Sequence, residues 1–270
     1  MFFSELSLFL GAQILGVYVG FSLINMGYTY VQDTGASVSS FLISFTIATL
    51  VLVLMLKFLK SHLFFKGLLA FLIFVGAETV FAVFIWEGAA LLLAIALVVL
   101  RFKLPNVFMQ NLVMVIAIAG IGANLGTLFS VPAVLIILAV LCIYDVVAVY
   151  KTKHMVSLFK GMVSKGVPFS LIVPESIGDV RINVKDAVPG EGRFLMLGTG
   201  DVAFPVIFAV AALQVGLMSS VAVVAGALVG LLTIHLLLVS KKTGAIPALP
   251  PITFFSVIFF LISLYFNGGL

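Results

Sequence analysis

The chain has 270 residues, 63% of them hydrophobic and only 9% charged, with a formal net charge of +4. Soluble domains carry about 25% charged residues, so this composition excludes a water-soluble globular fold and points to an α-helical membrane protein. The basic excess does not suggest nucleic-acid binding, because the Lys and Arg residues fall in short connections between apolar runs, where they act as topology signals.

Apolar runs recur along the whole chain, and about 20 such residues suffice to cross a bilayer as a helix. Nine spans are predicted, over 6–26, 38–56, 67–85, 88–100, 107–129, 131–150, 194–216, 219–239 and 245–266. The fourth is the shortest, joined to the third by only Trp86-Glu87. The N-terminus lacks the basic region of a cleavable signal, so the first run reads as a retained span. The expectation is an all-α polytopic membrane protein forming a single membrane domain over 1–270. It has six spans in 1–150, a loop at 151–193 and three spans in 194–270.

All 14 Lys and Arg residues fall in the connections after spans two, four, six and eight. With nine spans, those four connections share one side. Cytoplasmic loops carry the Lys/Arg excess, so the N-terminus is expected inside and the C-terminus outside.

The loop 151–193 is the only long polar segment. Its part 155–163 places apolar residues at helical spacing among basic ones, as in an amphipathic helix on the membrane surface. The stretch 180–185 alternates apolar and polar residues, which predicts a strand. The remainder is rich in Gly, Pro and charge and reads as mobile loop. Gly16–Gly20, Gly122–Gly126 and Gly226–Gly230 have small-xxx-small spacing. That spacing suits close packing within one bundle, with homo-oligomer contacts as the other use.

Ten acidic residues are present, and three lie within spans: Glu78, Asp145 and Asp201. A carboxylate inside a bilayer is costly and is a functional-site hypothesis by default. Asp145 is six residues from Lys151 and Asp201 eight from Arg193. At a helical rise of about 1.5 Å per residue, they sit roughly 9 and 12 Å in from the same side. Neighbouring carboxylates cannot both ionise cheaply, and such a pair shares a proton. One can then activate water while the other protonates or polarises a peptide carbonyl, as in aspartic proteases. A buried polar pair, or a cation site in a transporter or channel, would place the same residues there.

Local sequence favours the peptidase. Asp201 ends Leu197-Gly198-Thr199-Gly200-Asp201, and Pro205 follows at i+4, where its ring clashes with the carbonyl of residue 201. Near the start of the ninth span comes Pro247-Ala248-Leu249-Pro250-Pro251. Irregular backbone at membrane depth is tolerated only where it is buried in protein or lines a watery cavity. Three spans thus bring unusual features to one level.

Tyr144-Asp145, Gly198-Thr199-Gly200-Asp201 and Pro247-Ala248-Leu249 resemble the YD, GxGD and PAL motifs of the presenilin and signal-peptide-peptidase family. Their order and the span count match as well, and the resemblance covers essentially the whole chain. The Tyr-Asp and Pro-Ala-Leu-Pro contexts and the orientation look like presenilin, whereas Pro205 looks like the signal-peptide-peptidase branch. The mixture suggests a microbial, archaeal-type homologue and hence a plasma-membrane location. The resemblance implies a presenilin-like bundle with Asp145 and Asp201 as the catalytic pair. It implies that Gly198, Gly200, Pro247, Ala248 and Leu249 shape the site and that Tyr144 flanks it. The expected substrate is a single membrane-spanning helix, embedded in lipid, with no metal or organic cofactor. The stretch 180–184 is expected to pair with unwound substrate by strand addition. A prepilin-type GxGD peptidase is disfavoured by the Pro-Ala-Leu segment.

Other signals are weaker. Asp33-Thr34-Gly35 reads like the catalytic loop of soluble aspartic proteases, but it occurs once and has no β-rich context. The single cysteine, Cys142, excludes an internal disulfide and any multi-cysteine metal site, and it reads as a buried apolar residue. Neither a His-Glu-x-x-His motif nor Gly-x-Ser-x-Gly is present. Glu78 invites pairing with Asn111, Asn124, Gln214 or His235. His235 itself reads as a hydrogen-bonded structural residue.

Overall fold

The computed structural model describes residues 1–28, 39–40, 43–44, 47, 62–152, 162–163, 166–187, 193–241 and 246–266. The predicted second span, the Asp33-Thr34-Gly35 loop and most of the predicted amphipathic helix lie outside the described residues. Among the described residues, eight long helices are present: α1 (Phe2–Asn25), α2 (His62–Phe84), α3 (Glu87–Lys103), α4 (Val107–Leu128), α5 (Val131–Val147), α6 (Thr199–Ala212), α7 (Leu217–Lys241) and α8 (Leu249–Phe266). Among the described residues, six helices are long and apolar enough to cross a membrane; they include α1, α2, α4, α7 and α8. The sixth runs Val131–Tyr150, where α5 continues into a π-helical turn at Ala148–Thr152.

Helix starts follow local chemistry. Asn106 caps α4 by accepting a hydrogen bond from the Met109 N–H at 2.8 Å, and Ser130 caps α5 by accepting from Ala133 N–H at 3.3 Å. Each satisfies one of the N–H groups that a helix start leaves unpaired.

The predicted seventh span differs from its expectation. Its first five residues form a strand, β2 (Phe194–Gly198), antiparallel to β1 (Ser170–Pro174). The register pairs Ser170 with Gly198 and Ile172 with Met196. Only 14 residues remain for α6, roughly 21 Å of helix. That helix is buried on nearly all sides from Val202 onward, against α1, α4, α5, α7 and α8. An all-round apolar helix belongs in this position. Its Val206 side chain meets Gly16 of α1 and Gly122 of α4, and Val210 meets Gly20 and Gly126. The third glycine pair, Gly226 and Gly230, lies against the α8 backbone. All three small-residue pairs therefore serve packing within the chain.

The 151–193 segment corrects two expectations. The stretch 180–185 is not a strand. Its ends lie in two 3-10 turns, Ile177–Arg181 and Val184–Asp186, and between them Asn183 forms only a single antiparallel bridge, to Asn106. Its backbone is tied down, with Val107 N–H donating to Ile182 C=O at 3.0 Å and Val184 N–H to Pro105 C=O at 2.9 Å. The strand is instead Ser170–Pro174, buried at every position, within sequence that read as mobile loop.

Candidate active site

Asp201 is the third residue of α6, and the N-cap is Gly198, the last residue of β2. Its carboxyl group lies against Gly198, in the position that the acidic member of a capping box takes. The approach is tight. A Cβ on Gly198 would lie 2.8 Å from Asp201 Oδ2, so only glycine leaves room for the carboxyl. Gly200 is less constrained, because a Cβ there would meet only the Phe204 ring, at 3.4 Å. Pro205 sits inside α6 and is buried. Its ring nitrogen cannot donate to the Asp201 carbonyl.

Asp145 lies in the last turn of α5. The Leu249 N–H donates to its Oδ2 at 3.2 Å. Leu249 opens α8, whereas Ile246, Pro247 and Ala248 are irregular. The predicted irregular backbone is thus present immediately before α8, and it supplies backbone donors at a helix start. Pro247, Ala248 and Leu249 are all buried. Leu249 clusters with Ile137 and Leu141 of α5, and Phe204 of α6 packs against the same cluster, which therefore joins three helices.

Helices α5 and α6 are direct neighbours, and α8 packs on both. Asp145, in the last turn of α5, and Asp201, in the first turn of α6, are thus carried by packed neighbours. Both are partly accessible. Beside Thr199 and Gly200 opens an apolar cavity of about 310 Å³, lined from α2, α4, α5 and α6. Tyr144 turns outward and is 57% exposed.

The other acidic candidate goes elsewhere. Glu78 lines a separate cavity of about 200 Å³ with Glu87, Asn124 and Thr127. Gln214 donates to the Phe129 carbonyl at 2.9 Å. His235 hydrogen-bonds to Glu5 at 2.7 Å, and Glu5 is 1% exposed. The two partners lie 230 residues apart, so no local pattern signals the pairing. Among the described residues, no group of three or more His, Cys, Asp or Glu could hold a metal ion.

Residues 6–268 match a family model described as signal-peptide peptidase, presenilin aspartyl protease. Two solved structures of a presenilin family intramembrane aspartate protease, in space groups C222 and P2, superpose with a TM-score of 0.68 each. Their sequence identities to this chain are 20% and 21%. Each match covers 97% of this chain, and 97% and 96% of the respective structures. A search of curated proteins finds no match.

Proposed function

This chain belongs to the signal-peptide peptidase and presenilin aspartyl protease family, and on that premise we propose that it hydrolyses peptide bonds within single-span membrane helices, with Asp145 and Asp201 as the catalytic pair. The observation that supports this reading is that the helices carrying the two carboxyls, α5 and α6, pack as neighbours with α8 against both. The Asp145 carboxyl is held by backbone at the start of α8, and the Asp201 carboxyl lies against Gly198. The pair shares one proton. The ionised aspartate takes a proton from water, which attacks the scissile carbonyl carbon, while the protonated aspartate hydrogen-bonds to the carbonyl oxygen. Collapse of the tetrahedral intermediate breaks the C–N bond, and a proton passes to the leaving amine. No metal or cofactor enters this scheme.

A substrate helix must unwind locally, because helical amides are already hydrogen-bonded. Unwound backbone needs new partners in a membrane. We place strand addition at β2, which leads straight into Gly198 and Asp201. The segment 180–184, tied back in its 3-10 turns, is withdrawn from that role. The apolar cavity beside Gly200 would lodge a substrate side chain. Nine spans, a cytoplasmic N-terminus and a plasma-membrane location complete the proposal. The count rests on the apolar runs, the orientation on the basic residues gathered in alternate connections, and the location on the resemblance to an archaeal-type homologue.

Family membership does not support the transporter or channel alternative. The test is cleavage of a single-span substrate by purified protein in lipid vesicles, with Asp145→Asn and Asp201→Asn alongside. Cleavage by the wild type alone is expected. Cation flux without any cleavage would restore the alternative.

A further inference from the structure

A buried polar ladder stands behind β1, and the chemistry of the two aspartates does not use it. Arg101, near the end of α3, is 0% exposed. It donates Nε–H to Gln110 Oε1 at 2.6 Å and Nη2–H to the Gly166 carbonyl at 3.2 Å. Gln110, also 0% exposed, donates from Nε2 to the carbonyls of Pro168 at 2.9 Å and Ser170 at 3.1 Å. Next along α4, Asn111 donates from Nδ2 to the Ile172 carbonyl at 2.6 Å, and its Oδ1 accepts from the Ile172 N–H at 2.8 Å. Apart from the Arg101–Gln110 bond, every one of these ends on the backbone of the segment that forms β1.

Asn111 does more than anchor. A neighbouring strand would offer Ile172 one N–H and one C=O, and the Asn111 carboxamide offers the same two groups. It therefore fills the place of a third strand on the outer edge of β1. Residues of an antiparallel ladder alternate between bonding inward and facing outward. Ile172 turns both its groups to Asn111, so its partner Met196 bonds away from β1. The Glu175 N–H bond to the Arg193 carbonyl, 2.9 Å, continues the same alternation. The edge of β1 is closed, and the outward groups of Met196 lie on the other edge, along β2.

We propose that Asn111 is a positioning residue for peptide-bond hydrolysis. With Gln110 and Arg101 behind it, it locks β1 so that β2 presents Met196 to an extended substrate in one register and delivers Gly198 to Asp201. This inference rests on the reading of Asp145 and Asp201 as the catalytic pair. It specifies an extended chain bonding through its own backbone at Met196, two residues before the Asp201 helix cap. Releasing the lock lets β2 shift, and a shifted β2 presents a different bond to the aspartates.

The test compares wild type, Asn111→Leu, Asn111→Asp and Asp201→Asn on one single-span substrate in lipid vesicles. Product masses are read by mass spectrometry and the folded fraction by gel filtration. Leu removes both bonds to Ile172. Asp differs by one group, keeps an acceptor for the Ile172 N–H, and sets an oxygen against the Ile172 carbonyl. Folded Asn111→Leu is expected to lose at least tenfold in kcat and to spread cleavage over neighbouring bonds, with Asn111→Asp spreading it as well. Loss of folded protein alone would lower the rate without moving the cut. If Asn111→Leu does not fold, the product pattern of Asn111→Asp decides. Folded variants that cut only at the wild-type bond would overturn the proposal, and so would failure of both variants to fold, since Asn111 would then serve folding alone. Cleavage surviving in Asp201→Asn, or no cleavage by the wild type, would instead remove the reading of the catalytic pair.

Discussion

The backbone N–H of Leu249 donates to Oδ2 of Asp145 at 3.2 Å. One carboxyl of the pair is thus oriented by the first residue of α8, next to the irregular Pro247-Ala248 stretch. Proline is well suited to the first helical position, so Leu249→Pro removes this donor at little cost to α8. A hydrogen bond to a charged group contributes about 1.5–3 kcal/mol, so cleavage should fall on the order of tenfold to a hundredfold. Leu249→Ala keeps the donor and loses the contacts with Ile137 and Leu141. The rates of the two variants, normalised to folded protein, separate donor from packing. Proline should be the slower.

The two glycines of the Gly198-Thr199-Gly200-Asp201 segment should respond differently. A Cβ at Gly198 would press on the Asp201 carboxyl at 2.8 Å, whereas one at Gly200 would reach the Phe204 ring at 3.4 Å. The first contact cannot be relieved without moving Asp201. Gly198→Ala is therefore expected to abolish measurable cleavage, and Gly200→Ala to retain most of it. Equal loss in both, by initial rates on one substrate, would show that flexibility rather than close approach is what the glycines provide.

Glu5 and His235 tie α1 to α7 far from the aspartates in sequence. Glu5 Oε1 has no partner among the described residues, so His235 is the one tie on that carboxyl. Removing one partner of a buried hydrogen bond leaves the other unsatisfied and costs about 1–3 kcal/mol, while replacing both with apolar groups can be nearly neutral. His235→Ala should lower the melting temperature strongly. Glu5→Leu combined with His235→Leu should lower it far less. Additive losses across the single and double variants would contradict a coupled pair.

Much of this architecture was legible in the sequence because apolar length and basic punctuation mark helices directly. The starts of α4 and α5 fall where the spans were predicted, at Val107 and Val131. The break before α8 was legible in its prolines. The sheet was not. Ser170–Pro174 is buried at every position, so it shows no period-two alternation. The stretch 180–185 does alternate, but its Asn183 side chain caps a 3-10 turn by accepting from Lys185 N–H at 3.0 Å. Asn111 left no local trace either, because its backbone partner lies 61 residues away. Tyr144 carried only its place beside Asp145, and its exposed side chain adds nothing to that.

The central claim is that Asp145 and Asp201 act as one unit. Residues that act together in a catalytic step are grossly non-additive. The most direct test measures cleavage rates, under single-turnover conditions, for Asp145→Asn, Asp201→Asn and the double variant at equal folded concentration. Each single variant should fall to background, with the double no lower than either. Singles that retain measurable cleavage, with losses that multiply in the double, would show two independent carboxylates and contradict the shared-proton pair.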